Sequence, residues 1–450
     1  MTAPPAAGPR SPTRRFVLLG GVVAGAALLS PLVAGALPAS AADHLARRSA
    51  AAVRFGVNYT PSKSWWFLWQ HWDKGAVDRD LRQIAGLGLD HIRVQVLWSV
   101  FQPTPTTVDK ASLDHLEELL DIAGRRGLAV TVSVLTSSLS GLSFVPRWVT
   151  RNYVTDLKTV HAEEVLFRAV GARVGRHRAL MGFDVGNELL GNAPVSSPTA
   201  LKAWLGRLLH LCDLVAPGKT HTVSPRGETR VPYPDLVAGL GDVSVIHPWV
   251  FDAGSATHGR LNVLAVHQAT YNAELVKSFH DYSQPGVRRQ VWVQEFGAPD
   301  VNFARQRVLP PPLHARFLTE TCRALLDRGD LFGITWWCSH DLPNRISAGF
   351  REPERHLGLF DASGRPKPTA LALAQVASGA ASLVPAAARL PHAPVGRHDR
   401  DGFEHLIRTR RLPVVVPDEG FHDPAYLKLR GVGDEAEPDS AAAHGGADSG

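Results

Sequence analysis

From Val53 onward, short runs of apolar residues alternate with longer segments in which apolar residues recur every three or four positions. The short runs predict β-strands, and the longer segments predict amphipathic helices. The predicted strands are Arg54–Asn58, His91–Val96, Ala129–Leu135, Leu180–Gly186, Thr220–Ser224, Val243–His247, Gln290–Glu295 and Phe332–Trp337.

Helical spacing lies between and after these strands. The predicted helices are Val77–Leu87, Leu113–Arg126, Ala162–Val174, Leu201–Val215, a short one within Val231–Gly241, Leu264–His280, Leu313–Arg328 and Pro368–Ala377. Strands alternating with helices predict a (β/α)8 TIM barrel, which forms a single catalytic domain over residues 42–380. A doubly wound open sheet is the alternative, and it is disfavoured because no glycine-rich phosphate loop follows the first strand.

The N-terminal 41 residues have the pattern of a twin-arginine export signal. Arg14 and Arg15 precede an apolar run from Phe16 to about Leu37, and Ala39-Ser40-Ala41 offers small residues for cleavage. We therefore expect an exported, extracellular protein. An uncleaved membrane anchor is the alternative, although glycine, alanine and Pro31 weaken the apolar run.

Composition changes again beyond residue 380. Residues 381–450 are rich in Ala, Pro, Arg and His and end in an acidic, Ala/Gly-rich stretch. This pattern is typical of a low-complexity, partly disordered C-terminal extension, to which we assign no chemistry.

Charge and cysteine content exclude several classes of function. The net charge is +6, three of the charges come from Arg10, Arg14 and Arg15, and the remaining basic residues are interleaved with acids. No basic stripe supports nucleic-acid binding. The three cysteines have no metal-site spacing and allow at most one disulfide, so we expect free, mostly buried thiols.

A glutamate lies at the carboxyl end of each of two predicted strands. Glu188 follows Asn187 just after Phe183-Asp184-Val185-Gly186, and Glu295 ends Val291-Trp292-Val293-Gln294. In a barrel, the active site lies at the carboxyl ends of the strands. A pair of carboxyl groups there is what a retaining glycosidase needs, because one protonates the leaving oxygen and the other attacks the sugar carbon.

The other strand ends present a guanidinium, amides and aromatic rings. The candidates are Asn58, Arg93, Asn187, His247, Trp249, Trp337 and His340. Arg93 would favour the ionised form of Glu295, whose charge would then favour the protonated form of Glu188. No thiol nucleophile, serine elbow, metalloprotease motif or phosphate loop occurs in the sequence, so we expect no metal and no cofactor.

This inventory resembles glycoside hydrolase family 5, over about residues 53–377. The resemblance implies that Glu188 is the acid/base and Glu295 the nucleophile. It also implies that Asn187 holds the hydroxyl beside the anomeric carbon, that Arg93 supports the nucleophile, and that Trp337 lies under the reactive sugar. His247 matches the histidine of the sixth strand in that family.

Finer motifs resemble subfamily 18 of that family. They are Gly56-Val57-Asn58-Tyr59-Thr60-Pro61-Ser62, Trp292-Val293-Gln294-Glu295, Thr335-Trp336-Trp337-Cys338-Ser339-His340-Asp341 and His356-Leu357-Gly358-Leu359-Phe360-Asp361. The resemblance implies a β-mannosidase that acts on mannose-β-1,4-N-acetylglucosamine or similar β-mannosides. We expect a monomer that has no stable membrane partner once the signal is cleaved.

Two departures from the family pattern concern the substrate. The third strand lacks the histidine that many members carry, and Trp249 stands where a tyrosine usually contacts the nucleophile. An endo-acting β-1,4-mannanase or glucanase and a carbohydrate-binding protein without turnover are the alternative functions. A site closed by the loops around Trp65–Trp72 and His340–His356 would favour exo action.

Several side chains also have a structural interpretation. Arg93 could be the partner of a structural ion pair, and His247 could be a core histidine. Trp65, Trp66, Trp69 and Trp72 could stack on sugars or pack a loop. Because neighbouring residues of a strand face opposite sides, only one of Trp336 and Trp337 can face the site, and we favour Trp337.

Overall fold

The computed structural model describes residues 53–379, with gaps at residues 192, 196, 226–233, 250–268, 271, 275, 278, 282–283, 285, 300–310 and 347–351. The predicted export signal and the predicted C-terminal extension lie outside the described residues. Among the helices of the described part, none is both long enough and apolar enough to cross a membrane.

Seven parallel strands form the central sheet. They are β1 (Arg54–Asn58), β2 (His91–Leu97), β3 (Ala129–Thr136), β6 (Leu180–Asp184), β7 (Ser244–Ile246), β8 (Val291–Phe296) and β9 (Leu331–Trp336). A small antiparallel hairpin, β4 (Ser138–Leu139) and β5 (Leu142–Ser143), follows β3.

The strand order is consistent with a (β/α)8 barrel. Along the sheet it is β6-β3-β2-β1-β9-β8-β7, so the first strand pairs with both the second and the last. A doubly wound sheet does not place its first strand beside its last, because its order reverses at a switch point. The open-sheet alternative is therefore disfavoured.

The sheet is strongly curled. In a flat sheet, β6 and β8 would lie about 24 Å apart, since five inter-strand spacings separate them. Asp184 at the end of β6 and Glu295 in β8 nevertheless both bind the guanidinium of Arg93. The inner face is thus concave, and side chains from distant strands meet inside it.

The predicted fifth strand, Thr220–Ser224, has only an isolated parallel bridge between Thr222 and Asp184. The amide nitrogens of Thr220 and Thr222 donate to Met181 and Phe183 of β6, at 3.0 and 2.9 Å. On the other side, Asp242 donates its amide to His221 at 2.8 Å. The segment therefore lies between β6 and β7, where the barrel prediction places it.

Helices cover the outer face of the sheet. They are α1 (Lys74–Gly86), α2 (Trp98–Phe101), α3 (Lys110–Arg125), α4 (Leu157–Val174), α5 (Pro198–Val215), α6 (Pro234–Ala238), α7 (Pro311–Leu326) and α8 (Pro368–Gly379). Short 3-10 helices span Trp65–Trp69, Leu189–Gly191 and Glu352–His356. Of the predicted helix Leu264–His280, the segment before residue 269 lies outside the described residues.

One continuous hydrophobic core joins the sheet to these helices. Leu81 of α1, Leu116 of α3, Leu166 of α4 and Leu205 of α5 are fully buried at the helix–sheet interface. Cys212, Cys322 and Cys338 are buried free thiols, as the sequence indicated. This core leaves the carboxyl ends of the strands available for polar side chains.

Candidate active site

Arg93 is the centre of a buried polar cluster inside the curled sheet. Its Nη1 donates to Glu295 Oε1 at 2.6 Å and to Asn58 Oδ1 at 3.0 Å. Its Nη2 donates to Asp184 Oδ2 at 2.7 Å and to Asn187 Oδ1 at 2.8 Å. Four candidates predicted from the sequence (Asn58, Arg93, Asn187 and Glu295) are therefore in one hydrogen-bonded group.

The alternation of the strands explains why this cluster forms. Arg93 lies in the middle of β2 with its side chain fully buried on the inner face, where a charge requires partners. Asp184, the last residue of β6, supplies the second carboxylate, and Ser133 and Ser224 donate hydroxyls to it at 2.5 and 2.8 Å.

Sequence reasoning missed Asp184 as a site residue. The signal was present, because a carboxyl group inside a buried strand needs a cation nearby. The tertiary structure identifies that cation as Arg93, which Glu295 shares. Arg93 is thus both a structural ion-pair partner and a neighbour of the candidate nucleophile, so its two interpretations are compatible.

Glu188 lies in a sharp turn directly after β6. Its φ is +45°, a left-handed conformation that is uncommon for a residue with a side chain. Gly186 precedes it at a close approach between two strands, where an added Cβ would lie 2.3 Å from the carbonyl oxygen of Leu135. The turn carries Glu188 across the mouth of the sheet toward His247.

His247 lies between the two glutamates. Its Nδ1 is 3.0 Å from Glu188 Oε1 and 3.4 Å from Glu295 Oε2, and its Nε2 is 3.3 Å from Gln294 Oε1. One ligand atom from each of Glu188, His247 and Glu295 lies within 4.8 Å of the other two. The two carboxyl groups thus face each other at short range.

Burial raises the pKa of Glu295 above its ordinary value of 4.5, and the charge of Glu188 adds to this rise. His247 and Arg93 oppose it without outweighing it. The expectation from the sequence counted only the stabilising effect of Arg93. It omitted the cost of burying the carboxylate, and it omitted Asp184, which competes for the same guanidinium.

Burial alone would lower the pKa of His247, but Glu295 and Glu188 outweigh burial and raise it. The same balance raises the pKa of Arg93, where Asp184 and Glu295 overcome desolvation. When His247 carries its second proton, this buried cluster contains two cations, His247 and Arg93, and the carboxylates of Asp184 and Glu295. The arrangement is therefore suited to holding and moving protons.

The same three groups could in principle hold a metal ion, since Glu188, His247 and Glu295 present their ligand atoms together. The donor set fits a cation poorly. Arg93 occupies Glu295 Oε1 at 2.6 Å, and the raised pKa of His247 means that a proton competes for its Nδ1.

Two of the candidate aromatic side chains pack against each other. Trp337 packs edge-on against Trp249, with 6.3 Å between ring centroids. Trp336 faces the opposite side, where it packs against Phe296 and donates its Nε1 to the carbonyl oxygen of Leu357 at 3.0 Å. Of the two neighbours, Trp337 is therefore the one on the side of Trp249. That Trp337 lies under the sugar stays a prediction.

His340 lies in a different set of contacts. It is fully buried, stacks on Phe360, and lies within hydrogen-bonding distance of Ser339 and Gln83. Its Nε2 is also 3.7 Å from Asp80. Its hydrogen bonds thus link it to the segment after β1. Arg93 and His247 contact Glu295 directly, and Asn58 and Asn187 are linked to it through Arg93.

The tryptophans that follow β1 pack a loop. Trp65 and Trp69 are buried, and Trp69 donates its Nε1 to the carbonyl oxygen of Gln95 at 2.8 Å. Trp72 stacks on Trp69 and donates to Glu118 of α3 at 2.8 Å. For these three, the contacts favour the packing interpretation over sugar stacking.

Solved structures similar to this chain were compared by fold and sequence. A GH5_18 protein from Streptomyces cattleya in complex with GlcNAc is 35% identical, with a TM-score of 0.68, and the match covers 75% of this chain and 82% of that one. A Glu-to-Ala variant of GH5_18 from Streptomyces cattleya, in complex with Manβ1-4GlcNAc, is 32% identical with a TM-score of 0.70, covering 85% and 98%.

A third match is a Glu-to-Ala variant of GH5_18 from Bifidobacterium longum subsp. longum, also in complex with Manβ1-4GlcNAc. It is 32% identical with a TM-score of 0.68, and the match covers 74% of this chain and 80% of that one. No protein-family model matches the chain. No curated protein matches it either.

Proposed function

This chain belongs to subfamily 18 of glycoside hydrolase family 5, and on that premise we propose that it is a retaining β-mannosidase. Glu295 attacks the anomeric carbon while Glu188 gives a proton to the leaving oxygen, which forms a glycosyl-enzyme. Glu188 then takes a proton from water, the water attacks the same carbon, and Glu295 is released as a carboxylate.

One observation carries the assignment of retention. A carboxylate oxygen of Glu188 and one of Glu295 lie within 4.8 Å of each other. Retaining enzymes hold the two carboxyl groups about 5–5.5 Å apart, whereas inverting enzymes separate them by about 6.5–9.5 Å to admit a water. The short range supports direct attack by Glu295.

The surrounding side chains receive roles consistent with their contacts. Arg93 and Asn58 hold the nucleophile through hydrogen bonds that reach Glu295 directly or through the guanidinium. Asn187 binds the hydroxyl at C-2, and His247 relays protons between the glutamates. Trp249 and Trp337 form the apolar wall of the sugar pocket, and His340 positions the loop after β1.

The substrate proposal is a terminal β-mannoside such as mannose-β-1,4-N-acetylglucosamine. It is supported by two similar structures that hold Manβ1-4GlcNAc.

We further propose that the enzyme is an exported monomer that needs no cofactor. We also propose that Thr220–Ser224 completes a closed eight-stranded barrel between β6 and β7.

The test is a panel of 4-nitrophenyl β-glycosides (mannoside, glucoside and xyloside) beside mannan and mannose-β-1,4-N-acetylglucosamine, with the first-released anomer followed by NMR. We expect release of β-mannose from the disaccharide, with mannan left intact. Release of the α-anomer would exclude retention. Cleavage of mannan to oligomers would favour an endo-acting mannanase.

Two variants separate the roles of the glutamates. Glu295→Ala should abolish turnover of every substrate, since no covalent intermediate can form. Glu188→Ala should lose more activity on the disaccharide than on 4-nitrophenyl mannoside, whose leaving group needs little protonation. Sugar binding with no turnover in the wild-type protein would favour the carbohydrate-binding alternative.

A further inference from the structure

The side-chain amide of Gln95 is buried, and only its oxygen has a hydrogen-bond partner among the described residues. The residue is 6% exposed, and its Oε1 accepts from Thr136 Oγ1 at 2.9 Å. Its Nε2 is buried and has no partner among the described residues. Because the Thr136 hydroxyl can donate or accept, exchanging the amide nitrogen and oxygen would only transfer the deficit to the oxygen.

Gln95 faces the concave interior of the sheet. It pairs in parallel register with Ser133, and paired residues on neighbouring strands share a face. The Ser133 hydroxyl contacts both Arg93 and Asp184 inside the sheet. Two residues of strand advance the chain by about 6.6 Å, so Gln95 lies one layer beyond Arg93 toward the carboxyl ends.

A short path along the wall links Gln95 to the candidate catalytic residues. Thr136, its hydrogen-bond partner, ends β3, and the carbonyl oxygen of Ser138 in the following hairpin accepts from Asn187 Nδ2 at 3.1 Å. Asn187 immediately precedes Glu188. Gln95 therefore lies on the side of the pocket that Asn187 borders, with β3 between them.

We propose that Gln95 is a specificity-determining residue whose amide hydrogen-bonds the C-2–C-3 hydroxyl edge of the sugar bound at the catalytic glutamates. The proposal rests on the proposed function, in which Asn187 holds the C-2 hydroxyl. The next polar group along the wall then faces the adjoining hydroxyl. A sugar hydroxyl donates and accepts, so it satisfies the free amide atom in either orientation.

The experiment compares the wild-type chain with Gln95→Met, which keeps a similar volume without the amide. Steady-state kcat/KM is measured on 4-nitrophenyl β-mannoside and on its 2-deoxy and 3-deoxy analogues. We expect the substitution to lower kcat/KM on the parent by about 10-fold or more, and on at least one deoxy analogue by about 3-fold or less.

Thr131→Val is the matched control. The Thr131 hydroxyl is also buried without a partner among the described residues, but Thr131 lies two residues before Ser133 on β3, toward the amino ends of the strands. Its substitution should leave the ratio of kcat/KM on the parent substrate to kcat/KM on each deoxy analogue unchanged. Thermal unfolding of each variant confirms that it remains folded.

Equal losses of kcat/KM on all three substrates, or no loss on any, would overturn the proposal. The amide of Gln95 would then bind a buried water or serve packing alone. Failure of the proposed function gives a different result. If the wild-type enzyme prefers a glucoside or a xyloside, the mannoside assignment fails. The deoxy series of the preferred sugar then tests Gln95 by the same criterion.

Discussion

At the scale of single residues, Glu295 is controlled by several opposing effects. Burial raises its pKa, and Arg93, which also binds Asp184, opposes this rise without outweighing it. His247 supplies the other opposing charge, at 3.4 Å from Glu295 Oε2. The ionised fraction of the nucleophile at acidic pH therefore depends on a histidine from a neighbouring strand.

His247→Gln should move the acid limb of the pH profile of kcat/KM to higher pH. The substitution removes a cation that lowers the pKa of Glu295, so this pKa rises further and less of the nucleophile is ionised at low pH. The loss of kcat/KM should accordingly grow as the pH falls from 7 to 5.

The exposed His161 of α4 provides the control, and His161→Gln should leave the profile unchanged. A His247→Gln variant whose acid limb stays in place, or moves to lower pH, would contradict the electrostatic role assigned to this histidine.

At the scale of elements, four helices begin before their apolar periodicity does. The structure starts α1, α3, α4 and α5 three to five residues earlier than the pattern predicts. The N-caps are Asp73, Asp109, Asp156 and Ser197, whose side chains accept backbone amides. These capping residues mark the helix starts that the apolar pattern placed too late.

The hairpin β4–β5 was also missed, although its turn has a sequence signature. Ser140 and Gly141 both adopt positive φ, which favours a tight hairpin, and glycine does so without steric cost. Neighbouring Leu139 and Leu142 pair across it. The hairpin places the carbonyl oxygen of Ser138 against Asn187, so a two-residue turn helps to orient a candidate site residue.

The interface between α4 and α5 holds a carboxyl group with an unusual pKa. Glu163 is fully buried and contacts Trp204 and Arg207, and burial raises its pKa from 4.5 to about 7 despite the opposing charge of Arg207. The charge of this carboxyl group also contributes to the raised pKa of Tyr153. The folded protein thus holds this proton more tightly than the unfolded chain does.

Glu163→Gln should remove a pH dependence of stability. The folded-state pKa is raised, so the stability contributed by Glu163 is fully present below pH 4.5 and is lost as the pH rises to about 7. A shift of this size corresponds to about 3 kcal/mol. Urea denaturation at pH 4.5, 6 and 8 should show that the free energy of unfolding of the variant, relative to that of the wild type, rises with pH by up to that amount.

Glu164, the next residue of α4, is the matched control because it is partly exposed and pairs with Arg168 on the surface. Glu164→Gln should follow the wild-type pH dependence. A difference between Glu163→Gln and wild type that stays constant from pH 4.5 to 8 would refute the buried-proton account.

At the scale of the whole molecule, α8 is the last element of the described fold. This helix buries Thr369, Ala370 and Leu373, and Thr369 Oγ1 hydrogen-bonds His314 Nδ1 of α7 at 2.7 Å. The sequence assigns no packed element to residues beyond 380, where periodicity ends. The catalytic domain should therefore be complete at that point.

A chain of residues 42–380 should unfold within about 2 °C of residues 42–450 and should keep its kcat/KM. Truncation after residue 366 removes α8 and its buried side chains, and it should lower the unfolding temperature by about 5 °C or more. Differential scanning calorimetry with mannoside assays checks both. A large destabilisation of 42–380 would show that the extension packs on the domain.

The sequence by itself determined the order of strands and helices, the strand-end placement of Glu188 and Glu295, and the family resemblance. These are local properties, because apolar periodicity and residue type act over a few neighbouring positions. The edges of elements were less certain, since caps and turns depend on single polar residues such as Asp73 and Gly141.

Only the tertiary structure decided which side chains meet. The curl of the sheet brings Asp184 and Glu295 to one guanidinium and places His247 between two glutamates. It also makes Trp69 a packing residue and leaves the amide nitrogen of Gln95 without a partner among the described residues. Contacts between strands distant in sequence, and the desolvation that accompanies them, cannot be inferred from local patterns.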